Sequence, residues 1–346
     1  MERYLGRAVV ELFTDDDVTE IYANADGLVR TDTHARGKVR LGVRLRSDQI
    51  EQFLNAVATR EGVTLNRSNP TIQAELPDVT FRGARLQGFI PPVTSAATLV
   101  LRKRAVRLYD LASYVEAGTM TDDERQALVV AVGTHQNVLV CGGTGSGKTT
   151  LCNALIQQMT AQFPRERFVI LEDTAELQCD ADDHLQLQTT EGLTLSDLVK
   201  HTLRCAPDRI IVGEVRDGAA LDLLDAWATG HPGGCATVHA TTAAGALLRM
   251  NRLAQRAGVP PQHELIAESV DLVVVIQGGT QGRRVTEMVR VGGQTDGRFD
   301  LEPVRPRSAD LAPTHAPGVF PKPALSLAPA NTGTPSTPRA GSGARS

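Results

Sequence analysis

Residues 142–150 read GGTGSGKTT and directly follow the short apolar run NVLVC at residues 137–141. Gly142, four further residues, and then Gly147, Lys148 and Thr149 match the phosphate-binding loop that joins a strand to a helix. Glycines let such a loop turn its backbone N–H groups inward around a phosphate. Lysine then brings a positive charge to the phosphates, threonine offers a hydroxyl to Mg²⁺, and the helix N-terminus points at the same anion. The stretch predicts a site for ATP and Mg²⁺.

The predicted nucleotide-binding residues of this loop are Gly143, Thr144, Gly145, Ser146, Gly147, Lys148, Thr149 and Thr150.

Length and composition favour two domains over one, because 346 residues with 41% hydrophobic side chains can bury a large core. No run approaches the roughly 18 apolar residues that span a bilayer, and the N-terminus lacks the apolar core of a signal peptide. We therefore expect a cytoplasmic protein. The five cysteines lack the close spacing of zinc sites, and a net charge of −4 gives no indication of direct DNA binding.

The region before the loop predicts a small α+β domain over residues 1–105. Alternating apolar and polar residues indicate strands at residues 18–24, 27–32, 38–43, 71–76, 80–90 and 98–104. Between the third and fourth of these, Ser47 is the expected cap of a helix whose apolar residues share one face.

The region after it begins with a predicted linker at residues 106–120. Thr121 and Glu124 then form a capping box for a helix that extends to about residue 134. The short apolar runs NVLVC, FVILE (168–172), RIIVGEV (209–215) and CATVHA (235–240) alternate with helical patterns, as strands buried on both faces of a parallel sheet do. They predict a doubly wound domain over residues 121–293, with its ligand at the carboxyl ends of the strands. Two further strands are expected at residues 271–277 and 283–291, and the proline-rich residues 294–346 are predicted to be disordered.

Two acidic segments follow predicted strands. LEDTAEL carries Glu172, Asp173 and Glu176, which could hold Mg²⁺ through water or orient an attacking water, although a solvated acidic loop would look the same. RIIVGEVRD ends its strand on Gly213 and Glu214, and we predict that Glu214 is the catalytic carboxylate. The alternative is a favourable charge at a helix N-terminus.

A histidine segment and a basic segment complete the candidate site. In GHPGGCATVHA, His239 and, with a weaker case, His231 could donate a hydrogen bond to the γ-phosphate, or could be ordinary polar groups with satisfied hydrogen bonds. In LVLRKRAVR, strand alternation places Arg102 and Arg104 on one face and Lys103 on the other. The arginines could bind one anion together, or they could form a solvated basic edge that discourages strand pairing.

Four of these segments are GGTGSGKTT, LEDTAEL, RIIVGEVRD and GHPGGCATVHA. In this order, they resemble the four motifs of the type II and type IV secretion traffic ATPases. The stretch APDRIIVGEVRDGAALDLLDAWATGHPGG is most similar to the conjugative-transfer ATPases of the TrbB kind, and the resemblance covers roughly residues 1–293. It implies an α/β fold: a RecA-like P-loop ATPase domain with a parallel-rich central sheet, a smaller α+β N-terminal domain that closes over the nucleotide, and a disordered tail outside the resemblance. It further implies a homohexameric ATPase, peripheral to the cytoplasmic face of the inner membrane, that powers a conjugative type IV secretion apparatus in pilus biogenesis or substrate transfer.

The resemblance also implies roles for single residues. Glu214 would be the catalytic glutamate, with Glu172 in the aspartate box and His239 in the histidine box. Thr149 would contact Mg²⁺ directly, and Glu172 and Glu214 through water. Arg204 and Arg216 stand where the family carries arginines, at phosphates or at subunit interfaces, and Arg102 and Arg104 would reach the nucleotide upon domain closure.

Two alternatives remain open from the sequence. Pilus extension, retraction and tight-adherence motors belong to the same superfamily, and the missing tetracysteine zinc motif leaves the retraction and tight-adherence motors as the nearer relatives to exclude. A non-hydrolysing, nucleotide-dependent scaffold is an alternative of another class.

Overall fold

The computed structural model describes residues 1–33, 35–104, 109–279 and 282–304. Within these ranges the chain forms two β-sheets, and a separate hydrophobic core lies against the first. Residues 106–108 of the predicted linker and residues 305–346 of the predicted tail lie outside the described part. No helix in the described ranges is long and apolar enough to cross a membrane.

The first sheet has six strands, and every neighbouring pair is antiparallel. The elements of this region are α1 (Glu2–Leu5), α2 (Arg7–Val10), a 3₁₀ turn (Glu11–Phe13), β1 (Val18–Ala23), β2 (Leu28–Thr33), β3 (Gly37–Arg44), α3 (Ser47–Glu61), β4 (Thr71–Glu75), α4 (Asp78–Phe81), β5 (Arg85–Phe89) and β6 (Thr98–Arg102). The strand order is β3-β2-β1-β6-β5-β4. The apolar face of α3 packs on one side of the sheet, as its periodicity predicted.

The predicted strand at residues 80–90 is correct only from Arg85 onward. Residues Asp78–Phe81 form the helical turn α4 instead. Phe81 is buried and meets the ring of Phe13 edge-on, with 5.2 Å between the ring centroids. Tertiary packing of one aromatic side chain therefore outweighs the extended preference of the segment.

The two predicted helix starts have different outcomes. The capping box is confirmed: Thr121 Oγ1 accepts the N–H of Glu124 at 3.2 Å, and the Glu124 carboxylate accepts the N–H of Thr121 at 2.7 Å. The prediction for Ser47 is wrong, because Ser47 is the first helical residue and Arg46 precedes the helix. The Ser47 hydroxyl accepts the N–H of Ala97 at 3.0 Å, and so joins the helix to the strand region instead.

The second sheet has eight strands in the order β14-β13-β12-β7-β11-β10-β8-β9. Its elements are α5 (Leu111–Glu116), α6 (Asp122–Gly133), β7 (Val138–Cys141), α7 (Lys148–Gln162), β8 (Phe168–Glu172), β9 (His184–Gln188), α8 (Leu195–Thr202), β10 (Arg209–Val212), α9 (Ala219–Ala228), β11 (Cys235–Val238), α10 (Ala243–Ala254), a 3₁₀ turn (Gln255–Ala257), α11 (His263–Ser269), β12 (Leu272–Gly279), β13 (Gly282–Thr295) and β14 (Arg298–Pro303). The strands from β12 to β9 are parallel, and all four predicted apolar runs lie among them. Hydrophobic clusters cover both faces, which is the reason these strands are apolar throughout.

The sheet extends past the predicted domain boundary at residue 293. Strand β14 pairs antiparallel with β13 as far as Pro303, and Phe299 and Leu301 pack against the core. The predicted domain boundary at residue 293 is too early, because β14 is an edge strand that buries only alternate residues and so has a weak sequence pattern. The proline-rich region also begins at the end of this strand. The edge strand β9 was missed for the same reason.

Candidate functional site

A cleft of about 880 Å³ lies between the two sheets, at the carboxyl ends of the strands that flank the phosphate loop. Residues 144–150 of the loop line it, together with side chains from the first sheet. Gly143, which was predicted to bind the nucleotide, does not line the cleft; its carbonyl accepts a hydrogen bond from Lys148 instead. The position agrees with the rule that ligands of open α/β sheets bind beyond the carboxyl ends of the strands.

The phosphate loop holds its lysine at its centre. Gly147, with φ of +99°, turns the chain into α7 in a conformation that side chains rarely adopt. The Lys148 side chain is buried, and its Nζ donates to the carbonyls of Gly142 at 3.1 Å and Gly143 at 2.9 Å. Burial lowers the pKa of Lys148, and the negative charge of Glu214 opposes that shift. The ammonium therefore lies at the N-terminus of α7, where an anion is favoured.

His239 connects this lysine to the predicted catalytic carboxylate. Its Nδ1 lies 3.4 Å from Lys148 Nζ, and its Nε2 lies 3.1 Å from Glu214 Oε1. Burial, and then the charge of Lys148, lower the pKa of His239, so that the ring is neutral at pH 7. In the tautomer that satisfies both contacts, Nδ1 accepts from the ammonium and Nε2–H donates to the carboxylate.

Glu214 is ionised although it is half-buried. Burial opposes its ionisation, but Arg216, His239 and Lys148 together outweigh burial and lower the pKa of Glu214. The Arg216 guanidinium lies 2.7 Å from Glu214 Oε2 and 3.3 Å from Asp173 Oδ2. The structure thus places Arg216 beside the catalytic candidate of its own chain.

The carboxylates of Glu172 and Glu176, in and after β8, occupy different environments. Glu172 is buried, and its Oε1 accepts the N–H groups of Glu176 and Leu177, each at 2.9 Å. Burial raises the pKa of Glu172, and these two hydrogen bonds oppose the rise. A Cβ at Gly213 would lie 3.0 Å from Glu172 Cγ, so any other residue there would press on the Glu172 side chain. Glu172 therefore holds the loop in shape.

Glu176 is the carboxylate that faces the predicted Mg²⁺ ligand. Its Oε2 accepts a hydrogen bond from Thr149 Oγ1 at 3.1 Å. Sequence analysis grouped Glu176 with the acidic cluster but chose Glu172 for the site. Nothing in the sequence separates the two, because the direction of the loop after β8 decides which carboxylate reaches Thr149.

The first sheet contributes a pair of arginines. Arg85 on β5 lies directly opposite Arg102 on β6 in the antiparallel register, and both line the cleft. Arg85 forms an ion pair with Glu176 at 2.9 Å and donates to the Thr174 carbonyl at 3.0 Å. The Arg102 side chain has no hydrogen bond or ion pair with any residue that the structure describes. Arg102 was predicted from the sequence, whereas Arg85 was not, because only the register between β5 and β6 brings it to the site.

The two residues that follow Arg102 are already engaged within the first domain. Arg104 lines the cleft and forms an ion pair with Glu75 of β4. Lys103 lies on the opposite face, as predicted, and is buried there. Its Nζ donates to the carbonyls of Leu12 and Asp15, so Lys103 supports the fold of this domain.

Residues 7–278 match the family model described as "Type II/IV secretion system protein". The chain belongs to this family. It is 41% identical over 302 residues to a probable conjugal transfer protein TrbB of Sinorhizobium fredii, covering 87% of this chain and 92% of that protein. It is 40% identical over 298 residues to the conjugal transfer protein TrbB of Rhizobium radiobacter, covering 86% and 91%.

Solved structures of similar fold include the ATPase DotB of Legionella pneumophila, with a TM-score of 0.60 and 20% identity over 83% of this chain and 79% of that one. The pilus retraction motor PilT with bound ADP also has a TM-score of 0.60, with 18% identity over 83% of each chain. At this identity the likeness supports the fold alone.

Two residues of this type II/IV secretion family member lie away from the cleft. Arg204 follows α8 and His231 follows α9, and both therefore lie near the amino ends of the strands that come next. His231 Nδ1 lies 3.1 Å from the carbonyl of Pro207. The structure does not bring either residue to the site within one chain.

The residues of the cleft fit a nucleotide with Mg²⁺. Lys148, Arg102 and the N-terminus of α7 place positive charge around one concave surface, and Arg102 has no anionic partner among the described residues. Thr149 and Glu176 offer adjacent oxygen atoms, which are the ligands that Mg²⁺ prefers. Glu214 adds a carboxylate on the neighbouring strand connection.

Proposed function

We propose that this chain is an ATP-hydrolysing motor in which Mg-ATP binds between a RecA-like P-loop domain and a smaller N-terminal domain. The continuous contact from Lys148 through His239 to Glu214 carries the proposal. It joins the residue that neutralises phosphate charge to the residue suited to position water. Hydrolysis needs an ionised carboxylate that can orient water beside the phosphates, and Glu214 fits that need.

Each residue has a role that follows from its charge. Lys148 exchanges its two carbonyl acceptors for phosphate oxygens, because an anionic oxygen attracts the ammonium more strongly than a neutral carbonyl does. Glu214, ionised at neutral pH, accepts a hydrogen bond from the attacking water and orients it toward the terminal phosphate. Neutral His239 keeps Glu214 in position through Nε2–H. Thr149 and Glu176, and Glu214 through water, would hold Mg²⁺, which would supply charge neutralisation at the phosphates.

The arginine pair of the first sheet supports coupling between nucleotide binding and domain closure. Arg85 and Arg102 belong to one domain, and the phosphate loop belongs to the other. A phosphate bound between the arginine pair and the phosphate loop would contact both guanidinium groups and draw the two domains together. Nucleotide turnover would then produce motion of the first domain, which is the mechanical output.

The apparatus that receives this motion is inferred from the relatives. Two proteins named as conjugal transfer proteins TrbB share about two fifths of their residues with nearly the whole chain. We therefore assign the chain to a conjugative type IV secretion system, as a homohexamer at the cytoplasmic face of the inner membrane that acts with inner-membrane components of that apparatus. Neighbouring genes for a mating channel and a relaxase support this assignment, whereas genes for pilins and a platform protein favour a pilus motor.

Phosphate release by the purified protein tests the enzyme assignment. Lys148→Ala is expected to lower turnover at least a hundredfold, since about 3 kcal/mol of transition-state stabilisation is lost. Glu214→Gln should retain ATP affinity within a few fold and lose turnover. Wild-type protein that binds ATP but releases no phosphate would favour the scaffold alternative. A sixfold increase in mass with Mg-ATP, measured by light scattering, would support the ring.

A further inference from the structure

Arg283 lies flat across the phosphate loop. It comes from β13, directly opposite Gly278 of β12, and it lines the same cleft. A Cβ built on Gly147 would lie 3.0 Å from Arg283 Cδ, 3.2 Å from Nε and 3.6 Å from Cζ. Three consecutive side-chain atoms at nearly equal distance show that the plane of the guanidinium group covers the glycine. Because position 147 has no side chain, this contact is possible.

Apart from this contact, the guanidinium group acts electrostatically on the buried Tyr114 hydroxyl, where it opposes the rise in pKa that burial causes. It forms no hydrogen bond or ion pair with any residue in the described ranges, although the side chain is only partly exposed. Arg284, its neighbour on the same strand, is exposed and does not line the cleft. One face of the Arg283 plane therefore rests on Gly147, which leaves the opposite face for the cleft that this partly exposed side chain lines.

The strand order locates Arg283 relative to the rest of the nucleotide site. Strand β7, which leads into the phosphate loop, lies between β12 on one side and β11 on the other. His239 follows β11, Glu214 follows β10, and Lys148 Nζ points toward His239 at 3.4 Å. The reacting end of the polyphosphate is thus on the β11 side. The nucleoside must leave the loop at its other end, on the side of β12 and β13.

A planar guanidinium group stacks on aromatic rings, with its N–H groups directed outward in the plane. We propose that Arg283 is the base-recognition residue of the nucleotide site proposed above, stacking its open face on the purine ring while Gly147 supports the opposite face. The ligand class is a purine nucleoside diphosphate or triphosphate. A larger ring covers more of the guanidinium plane, so purines bind more tightly than pyrimidines at this position.

Titration calorimetry of the full chain with three Mg²⁺-bound ligands tests this assignment without hydrolysis. ADP presents a purine, UDP a pyrimidine, and pyrophosphate no base. Wild-type protein should bind ADP about tenfold more tightly than UDP. Arg283→Ala should weaken ADP about tenfold, bring its affinity close to that for UDP, and leave pyrophosphate within twofold of wild type. Arg283→Lys should behave like Arg283→Ala, because lysine retains the charge but has no plane.

Arg284→Ala is the matched control and should leave all three affinities unchanged. If pyrophosphate weakens as much as ADP, and Arg283→Lys restores both, Arg283 is a phosphate contact and base stacking is overturned. Unchanged ADP affinity in both Arg283 variants overturns it as well. If Arg283→Ala fails to fold, the ADP to UDP ratio of Arg283→Lys decides the question. Wild-type protein that binds none of the three ligands would overturn the proposed function itself, which is a different outcome.

Discussion

Replacing Arg102 should have opposite consequences for the protein with and without nucleotide. Arg102 faces Arg85 directly across two antiparallel strands, and like charges in that position are destabilising by about 0.2–1 kcal/mol. The ion pair of Arg85 with Glu176 reduces this repulsion, so we take the lower half of the range. Arg102→Ala should therefore leave the nucleotide-free protein equally stable or more stable by a few tenths of a kcal/mol. With ATP it removes a charge-assisted contact of about 1.5–3 kcal/mol, which weakens binding roughly 10- to 150-fold.

Two measurements on the same variant test the sign of each effect. Thermal melting without nucleotide reports the relief of repulsion, and titration with a non-hydrolysable ATP analogue reports the lost contact. Arg40→Ala is the matched control, since Arg40 is an exposed arginine on β3 of the same sheet and does not line the cleft. Lys103→Ala is the opposite control: it should lower stability by about 1–3 kcal/mol, because its ammonium holds two backbone carbonyls, and leave ATP affinity intact.

Affinity of Arg102→Ala within twofold of wild type would refute the phosphate contact and leave Arg102 as part of a solvated basic edge. A loss of stability as large as that of Lys103→Ala would show that Arg102 supports the fold. Arg85→Ala is not an equivalent test, since it also leaves Glu176 without its ion pair.

The acidic loop gives two further predictions and the C-terminal strand gives one. Glu176→Gln should lower turnover at least tenfold, whereas Glu172→Gln should lower it less, because Glu172 uses one oxygen to accept two backbone N–H groups and glutamine can do the same. Because the pKa of Glu172 is raised in the folded protein, its negative charge opposes folding above that pKa but not at lower pH. In melting experiments, the stability of Glu172→Gln relative to wild type should therefore increase as pH rises. The reverse pH trend would contradict this assignment. Truncation after Val304 should leave the melting temperature unchanged, whereas truncation after Thr295 removes β14 with Phe299 and Leu301 and should cost roughly 2–4 kcal/mol, measured by denaturant unfolding. Equal stability of the two truncated proteins would show that β14 adds nothing to the core.

What the sequence predicts well is what local chemistry determines. The phosphate loop and the four central strands are visible because a glycine-rich turn and continuous apolar runs each have one dominant structural use. Edge strands such as β14 bury only every second residue, and their short alternating pattern resembles a loop. The sequence around Arg85 and around Arg283 contains no pattern that indicates a role in the site. Each is recognisable only through the residue opposite it, Arg102 for one and Gly278 for the other.

Glu176 lies where the separate parts of the site meet. One of its oxygens accepts from Thr149 at the phosphate loop, and the other pairs with Arg85 of the first sheet. A cation bound at Thr149 would share this carboxylate with Arg85, and the more of its charge the cation neutralises, the less would remain to offset the adjacent charges of Arg85 and Arg102. Such a pair is unfavourable alone and favourable around a phosphate. Under the proposed mechanism, metal binding in one domain would thus raise the affinity of the other domain for the same nucleotide, and the first domain would close when Mg²⁺ and phosphate are both bound.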